Sequence, residues 1–448
     1  MSNNVQTFND LSLRNAKAFI LCNRHGGGKK NDLAIIVNLL KASGIDAEIG
    51  EFESGQGRKT AKAAVQSGKY ALIIPFGGDG TVNKAATAIV KESGMALAPI
   101  AGGTFNHFSN MLYANTDSHK PWLNVLRMME ASVQTINIGF MEPYALHLQD
   151  GNQTVLELDK DLRHKAYFLL SASAGAQARL LKYVPKQLKY RADSLISGLG
   201  RLVIYGSGLL HIGSFKLFST TVIDQDNFTA WAGKARVAMI AKANYAWQKP
   251  VQPIYLDDNL LTGVAIKSFW SYAIGKASSL VFKAKSLLFT LPSNVPVELD
   301  GSIVDFVKKL DGVGKIQSIT YKCGTKTVKV LVPYCLNQPY ISKMYEPAPV
   351  QSQPNLPVVD PRHFFVPGDK VFQVEVIGKA SLDRGWYIIY GQDLTTQRPI
   401  VIRIQSDCAM ARGGSAAPLN LGTIKDGAVI SVAGDNTSWG ILAHKALL

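Results

Sequence analysis

Several kinds of segment are missing from this chain of 448 residues. Its start, MSNNVQTFNDLSLRNAKAF, has neither the basic head nor the long apolar core of a secretory signal, and no apolar run reaches the roughly 18 residues that a membrane-spanning helix needs. These absences lead us to expect a soluble, cytoplasmic-type protein. Cysteine is scarce. Cys22, Cys323, Cys335 and Cys408 show no CxxC spacing and no nearby cluster of His, which excludes a zinc-finger-like site and a disulfide framework and leaves reduced, mostly buried thiols. Internal repeats are absent. Acidic residues are few, 33 against 48 Lys and Arg, for a net charge of +15. Such a surface attracts phosphates, whether of nucleotides, nucleic acid or anionic lipid, and charge alone does not choose among them. What is present is an ordinary apolar fraction of 47%, which argues against disorder. The length exceeds the roughly 250 to 300 residues at which one core stops growing, so two or three domains are expected.

The first 140 or so residues alternate apolar bursts with helical patterns. AKAFILCN (16–23), IDAEIGEF (45–52), YALIIPF and MALAPIA read as strands, while NDLAIIVNLLKAS (31–43), RKTAKAAVQSG and TVNKAATAIVKES read as helices. This alternation predicts an α/β domain over 14–135, a parallel sheet with helices on both faces. From about Gln134 short alternating runs take over (TINIGF, AYFLLSAS, ARVAMIAKANYAW, VPVELDG, TVKVLVPYC), predicting a β-rich second domain over 136–341. SKMYEPAPVQSQPNLPVVDPRH is rich in Pro and Gln and reads as a linker, 342–362. The remainder, 363–448, returns to β texture and predicts a small separate barrel or sandwich.

Three strand ends carry glycine. In LIIPFGGDGTVNKAATAIV (72–90) a strand runs through Gly77, Gly78, Asp79 and Gly80 directly into a helix. Such a turn presents backbone N–H groups and a positive helix end to a phosphate. The glycines would permit close approach and positive φ, and Asp79, unable to bind phosphate itself, would hold Mg²⁺ or accept a proton from an attacking hydroxyl. A tight structural turn with an Asp cap accounts for this stretch equally if it is taken alone. The first strand ends in NRHGGGKK (23–30) and the fourth in AGGTFNHFSN (101–110), so three loops would line one edge of the sheet, where open α/β sheets place their ligands.

GGDGTVN followed some twenty residues later by GGTFNHFSNML resembles the catalytic domain of the diacylglycerol kinase and sphingosine kinase superfamily, above all its bacterial lipid kinase branch. The resemblance covers about residues 14–340 and takes in YFLLSASAGAQARLL (167–181), PIYLDDNLLTGVAI (253–266) and VPVELDGSIV (295–304). It implies a nucleotide-binding α/β domain and a β-sandwich domain with a lipid-substrate role. It also implies transfer of the γ-phosphoryl of ATP, with Mg²⁺, to the hydroxyl of a diacylglycerol-like or sphingoid lipid. Carried over by motif, Gly77, Gly78, Gly80 and Thr81 would cradle the phosphates, with Asn23 on one side of the nucleotide and Gly103, Thr104 and Asn106 on the other. Asp79 would serve Mg²⁺ or the acceptor, Asp300 would be the general base, and Asp258 would bind a structural metal. Asp300-Gly301 is also a hairpin signal, and Asp257-Asp258 reads equally as a solvated turn. Departures from the pattern are Lys84 where many relatives have Glu, Ser302 where Asp-Gly-Glu would supply its Glu, His107 after Asn106, and Asn259 in place of Gly.

A lipid acceptor implies docking on an anionic membrane surface, hence a peripheral location. The basic stretch 162–201 and AIKSFWSYAIGKASSLVFKAKSLLF (265–289) suit such docking. A solvated face over an ordinary core is the competing reading of each. No nucleic acid partner is expected, because the aromatic and basic strands GWYIIY and RPIVIRI read equally well as core. The C-terminal domain has no assigned role beyond a possible protein partner. Two other functions stay open: a catalytically silent nucleotide- or lipid-binding module, and a kinase of a soluble hydroxyl compound related to NAD kinase, which the Gly-Thr-Phe-Asn loop argues against.

Overall fold

The computed structural model describes residues 17–23, 30–53, 55–90, 94–103, 106–113, 120–129, 131–149, 152–157, 167–176, 178–179, 216–242, 256, 259–267, 281–292, 294–304, 316–333, 365, 368–381, 386–412, 415–418, 424–437 and 440–447. Strands and helices are numbered in chain order. β1 (Lys17–Asn23), β2 (Asp46–Phe52), β3 (Tyr70–Gly77), β4 (Ala96–Leu97) and β5 (Ile100–Ala101) alternate with helices α1 (Lys30–Ala42), α2 (Gly57–Gln66) and α3 (Asp79–Ile89), and α4 (His107–Tyr113) and α5 (Leu123–Met129) follow. Ala18 through Cys22 are all buried, as befits a central parallel strand covered on both faces. β2 forms the edge and blunts it with exposed charges such as Glu48 and Glu51. Pro99 lies between β4 and β5 and has no N–H to give a ladder, so this strand is split in two.

The expectation of a purely parallel sheet needs correction. The order is β2-β1-β3-β4-β20-β6, with β5 beside β3. β20 (Thr327–Pro333) runs parallel to β4, and β6 (Ala131–Asn137) pairs antiparallel with β20, which makes the sheet mixed. TVKVLVP, read as part of the second domain, is therefore a strand of the first sheet. Its alternating pattern suits either sheet, and only its long-range partners decide.

Two antiparallel sheets follow. One has the order β15 (Val281–Ala284), β14 (Leu261–Ile266), β13 (Val237–Ala241), β10 (Ser171–Gly175), β17 (Val297–Leu299), β18 (Ser302–Val304). The other has the order β12 (Thr229–Ala235), β11 (Phe218–Asp224), β16 (Ser286–Pro292), β19 (Ile316–Lys322), β7 (Gly139–Gln149), β8 (Asn152–Glu157), with β9 (Tyr167–Phe168) also on β7. They share one apolar core: Ala172, Leu261 and Leu299 from the first meet Val222, Phe289 and Ile319 from the second. The β7–β19 pair continues as the β6–β20 pair, and between them the Ile138 N–H donates to the Lys326 carbonyl at 3.1 Å. A hydrogen-bonded ribbon thus carries the chain between the α/β sheet and the β region.

The C-terminal strands are β21 (Val371–Ser381), β22 (Trp386–Asp393), β23 (Pro399–Arg412), β24 (Ser415–Pro418), β25 (Val429–Thr437) and β26 (Gly440–Leu447). β22-β21-β25-β26-β23 closes on itself through a β22–β23 pairing, a five-stranded barrel with β24 appended. Closure removes the unpaired edges. Val374, Ile389, Ile402, Ile404, Ile430 and Val432 fill it. The barrel is not separate, contrary to expectation. Ile388, Tyr390 and Val401 belong to the core of the α/β domain, the Tyr390 ring lies 3.9 Å from that of Trp122, and Gly378 fits under α5, where a Cβ would come within 2.6 Å of Leu126. The physical reason stands in WYIIY: residues pointing into the barrel and residues pointing out of it are both apolar, and the outer ones need cover. The expected linker, 342–362, lies outside the described residues. Among the described residues no helix is long and apolar enough to cross a membrane.

Removing the Tyr390 ring should cost about 3 kcal/mol. Calorimetry of Tyr390→Ala should show one transition shifted down for barrel and α/β domain together. A merely tethered barrel would melt on its own and leave the other transition unmoved.

Candidate functional site

The site is built at the carboxyl edge of the first sheet, where β3 ends and α3 begins. Gly78 is the N-cap of α3, at φ −83° and ψ −178°, and offers no side-chain cap. None of Gly77, Gly78 and Gly80 has a positive φ, so the second freedom expected of them, beside close approach, is not used. Proximity is the constraint instead. A Cβ on Gly103 would lie 2.5 Å from the Gly78 Cα, and one on Gly77 would lie 2.6 Å from the Thr81 hydroxyl. Two loops, one from β3 and one from β5, touch backbone to backbone, and only glycine fits at the contact. At Gly80, by contrast, a Cβ would make only an ordinary van der Waals contact, with Ser302 Oγ at 3.8 Å.

Asp79 opens α3 and reaches across to α4. Its two carboxylate oxygens accept the backbone N–H groups of His107 and Phe108 at 3.1 and 3.0 Å. The carboxylate therefore caps α4, with a favourable sign toward the helix dipole. Asn106, 1% exposed, closes the loop that leads into α4: its Oδ1 accepts the Gly103 N–H at 2.8 Å and its Nδ2 donates to the Gly103 carbonyl at 2.5 Å. Its φ of 52° lies in the left-handed region, which Asn tolerates better than other non-glycine residues.

Asp300 comes from the β region, at the hairpin between β17 and β18, and is 4% exposed. Oδ2 accepts from Asn83 Nδ2 at 2.8 Å and from the Leu169 N–H at 2.7 Å, while Oδ1 accepts the N–H groups of Leu170 and Ser171 at 2.9 and 3.0 Å. Four donors use the roughly four lone-pair sites of a carboxylate. Burial pushes its pKa up to about 6, against the downward pull of those donors. In this arrangement Asp300 has no lone pair left for a substrate proton. The carboxylate ties α3 to the β region, and Asn83 strengthens that tie by donating to the Tyr167 carbonyl at 2.8 Å.

Of the other expected residues, Asn23 ends β1 in register with Phe52 of β2. Thr81 is buried, its side chain against Gly77 and its N–H on the Gly78 carbonyl. Thr104 and Asp258 lie outside the described residues, as do most of both basic segments considered for membrane docking. Cys22 and Cys323 are buried and in no disulfide, and burial, with the charge of Glu51, pushes Cys22 up to about 11. Among the described residues no group of three His, Cys, Asp or Glu could hold a metal. Asp79, whose oxygens each accept one N–H, retains lone pairs and fits the single carboxylate that Mg²⁺ takes when phosphates supply its other ligands.

Sequence reasoning missed three groups. Asn83 was quoted inside GGDGTVN but given no role, although a polar residue one turn into a helix on its packed face was a usable signal. Glu298, wholly buried, accepts from Ser173 Oγ at 2.8 Å and from the Gly301 N–H at 2.7 Å, and so braces the Asp300 hairpin from beneath. Lys242, also wholly buried, donates to the Leu256 carbonyl at 3.0 Å. No period in the sequence marks either one.

Residues 17–141 match the family model of the diacylglycerol kinase catalytic domain. The match covers this segment and no other part of the chain. A solved structure of a candidate diacylglycerol kinase from Bacillus anthracis strain Sterne shares the fold, with a TM-score of 0.50 and 19% identity over 71% of this chain and 97% of that one. A second, described as a diacylglycerol kinase from the same organism, gives a TM-score of 0.48 at 19% identity, over 71% of this chain and 96% of its own. No curated protein sequence matches. The matched segment contains β1 to β6, the glycine turns, Asp79 and Asn83, while Asp300 meets it from the β region.

Two measurements probe this geometry. A methyl group on Gly103 must displace backbone, so Gly103→Ala should lose about 1–3 kcal/mol by denaturant unfolding. An unchanged midpoint would show that the two turns do not touch. For Asp300, the folded pKa of about 6 lies above the ordinary 3.8, so its contribution to stability is full below that ordinary value and is lost as pH rises through about 6. Wild type should therefore lose stability between pH 4 and 6.5 relative to Asp300→Asn, and parallel stability curves would refute the shift.

Proposed function

We propose that this chain is an ATP- and Mg²⁺-dependent kinase that phosphorylates the hydroxyl of a diacylglycerol-like or sphingoid lipid. The observation that carries the reading is the glycine turn that starts α3 with no side-chain cap, facing the Asp300–Ser302 hairpin, inside a segment that matches the diacylglycerol kinase catalytic model. The first N–H groups of a helix have no partner within it and attract phosphate oxygens. Gly78 and Gly80 present that end of α3 without side chains in the way, Thr81 supports the turn, and Asn23 and Gly103 flank it. Mg²⁺, when bound, would neutralise phosphate charge. Asp79 would hold it through its remaining lone pairs, or would accept the proton of the lipid hydroxyl as that oxygen attacks phosphorus. Asp300 acts as a positioning residue, setting the β region against α3. The net charge of +15 favours an anionic membrane surface as the place where substrate is met.

A second reading is a catalytically silent nucleotide- or lipid-binding module, and a specific observation favours it. Asp79 and Asp300 are both engaged by N–H donors, and the described residues include no acidic cluster for metal.

Incubating the protein with labelled ATP, Mg²⁺ and a mixed-lipid extract should yield a labelled lipid. Asp79→Asn should lower that yield by about 100-fold or more, with a melting curve alongside to show that the α4 cap survives. No labelled lipid from a wild type that still binds ATP would refute the kinase and leave the silent module.

A further inference from the structure

Two cations converge beside this cleft without an acid to pair with. Arg58 is the second residue of α2, and its Nε is buried with no hydrogen-bond partner. Lys84 projects from α3 toward the same place, its Nζ 5.2 Å above the ring centroid of Phe52. Burial and then the Arg58 charge lower the Lys84 pKa, and burial lowers that of Arg58. Neither cation forms an ion pair among the described residues. Glu51 precedes Phe52 on β2, so strand alternation sends it to the other face, where its charge acts on Cys22. The first turn of α2 has no acid, and its N-cap, Gln56, makes no side-chain cap bond. A helix start ordinarily carries acids there. Two like charges, partly desolvated and unpaired, cost stability, and such local conflicts persist where a ligand resolves them.

The position identifies the ligand's chemistry. Phe52 ends β2 in register with Asn23 at the end of β1, and Lys84 lies one turn beyond Gly80 on the same side of α3. The pair therefore stands one strand over from the glycine turn, along the same carboxyl edge. We propose that Arg58 and Lys84 form an anion site for a phosphoryl group, with Arg58 offering its planar N–H donors and Lys84 a point charge. That the phosphoryl belongs to a nucleotide seated on the glycine turns rests on the function proposed above. The anion site itself does not.

Thermal melting and calorimetric titration of wild type, Lys84→Met and Arg58→Met test this with three probes in Mg²⁺-free buffer: inorganic pyrophosphate, ATP and adenosine. Lys84→Met keeps the stem over Phe52 and removes the repulsion, so without anions it should melt higher than wild type. Pyrophosphate should raise the wild-type melting temperature and have little effect on either variant. ATP affinity should fall about tenfold or more in each variant, the scale of one charged hydrogen bond, with adenosine unaffected. Pyrophosphate binding that depends on the pair, without ATP binding, would keep the anion site and refute the nucleotide as its source. ATP binding equal in all three proteins would keep the nucleotide and overturn the site. So would a wild type that binds neither anion, or a Lys84→Met that melts lower and binds as wild type does.

Discussion

The buried carboxylate of Asp300 is the interaction on which the arrangement of the cleft depends. It joins three consecutive N–H groups of one segment, Leu169 to Ser171, to a side chain of another, Asn83 of α3. A carboxylate taken out of water is costly unless its lone pairs are filled. Here all are filled, which reduces the cost without cancelling it, and does so only when α3 and the β region sit in one relative position. The covalent ribbon of β6–β20 and β7–β19 allows the two regions to be neighbours, but a two-stranded ribbon can twist. Asp300 fixes the angle, and with it the approach of Ser302 to Gly80.

α3 is held from a second side as well. Asp79, at its start, takes the first N–H groups of α4, and Asn106 closes the loop into α4 on the Gly103 backbone. Gly103 in turn rests against Gly78. Sequence neighbours thus lock one another in a circuit: the turn that begins α3 supports the loop that begins α4, and that loop limits where the turn can lie. Such a circuit keeps backbone N–H groups aimed while leaving them uncovered, which is what a phosphate site needs. The same circuit explains why glycine stands at Gly103 without any positive φ: a side chain there would occupy the backbone of Gly78.

The legibility of this molecule in its sequence follows the range of each interaction. β1, β3, α1 and α3 were readable because apolar periodicity and strand-to-helix turns are local. The glycine turns and Asp79 were readable because their spacing repeats a known motif. β20 was not assignable, since its alternation fits any half-covered sheet and its partners lie more than 200 residues earlier. Docking of the barrel had a local trace, the doubly apolar WYIIY, but a strand buried on two faces looks the same whether the second face meets its own domain or another. Asp300 was found as a residue, but its hydrogen-bond partners were not. Its hairpin is a local signal, whereas the donors that fill its lone pairs come from Asn83 and from the 169–171 segment, far away in the chain.

Charge distribution at the cleft follows from these commitments. A phosphoryl-transfer site ordinarily keeps acids available for metal and nucleophile, and sets cations on the phosphates. Here Asp300 is spent on domain geometry, Glu298 on the hairpin beneath it, and Asp79 in part on α4. Among the described residues, Arg58 and Lys84 are the cations at this edge that form no ion pair. An anion arriving at this edge would meet unpaired positive charge first and carboxylate oxygens second. Ground-state binding of phosphate is therefore the property this architecture favours most directly. Any transfer chemistry depends on what one residue, Asp79, can do with the lone pairs that capping leaves it.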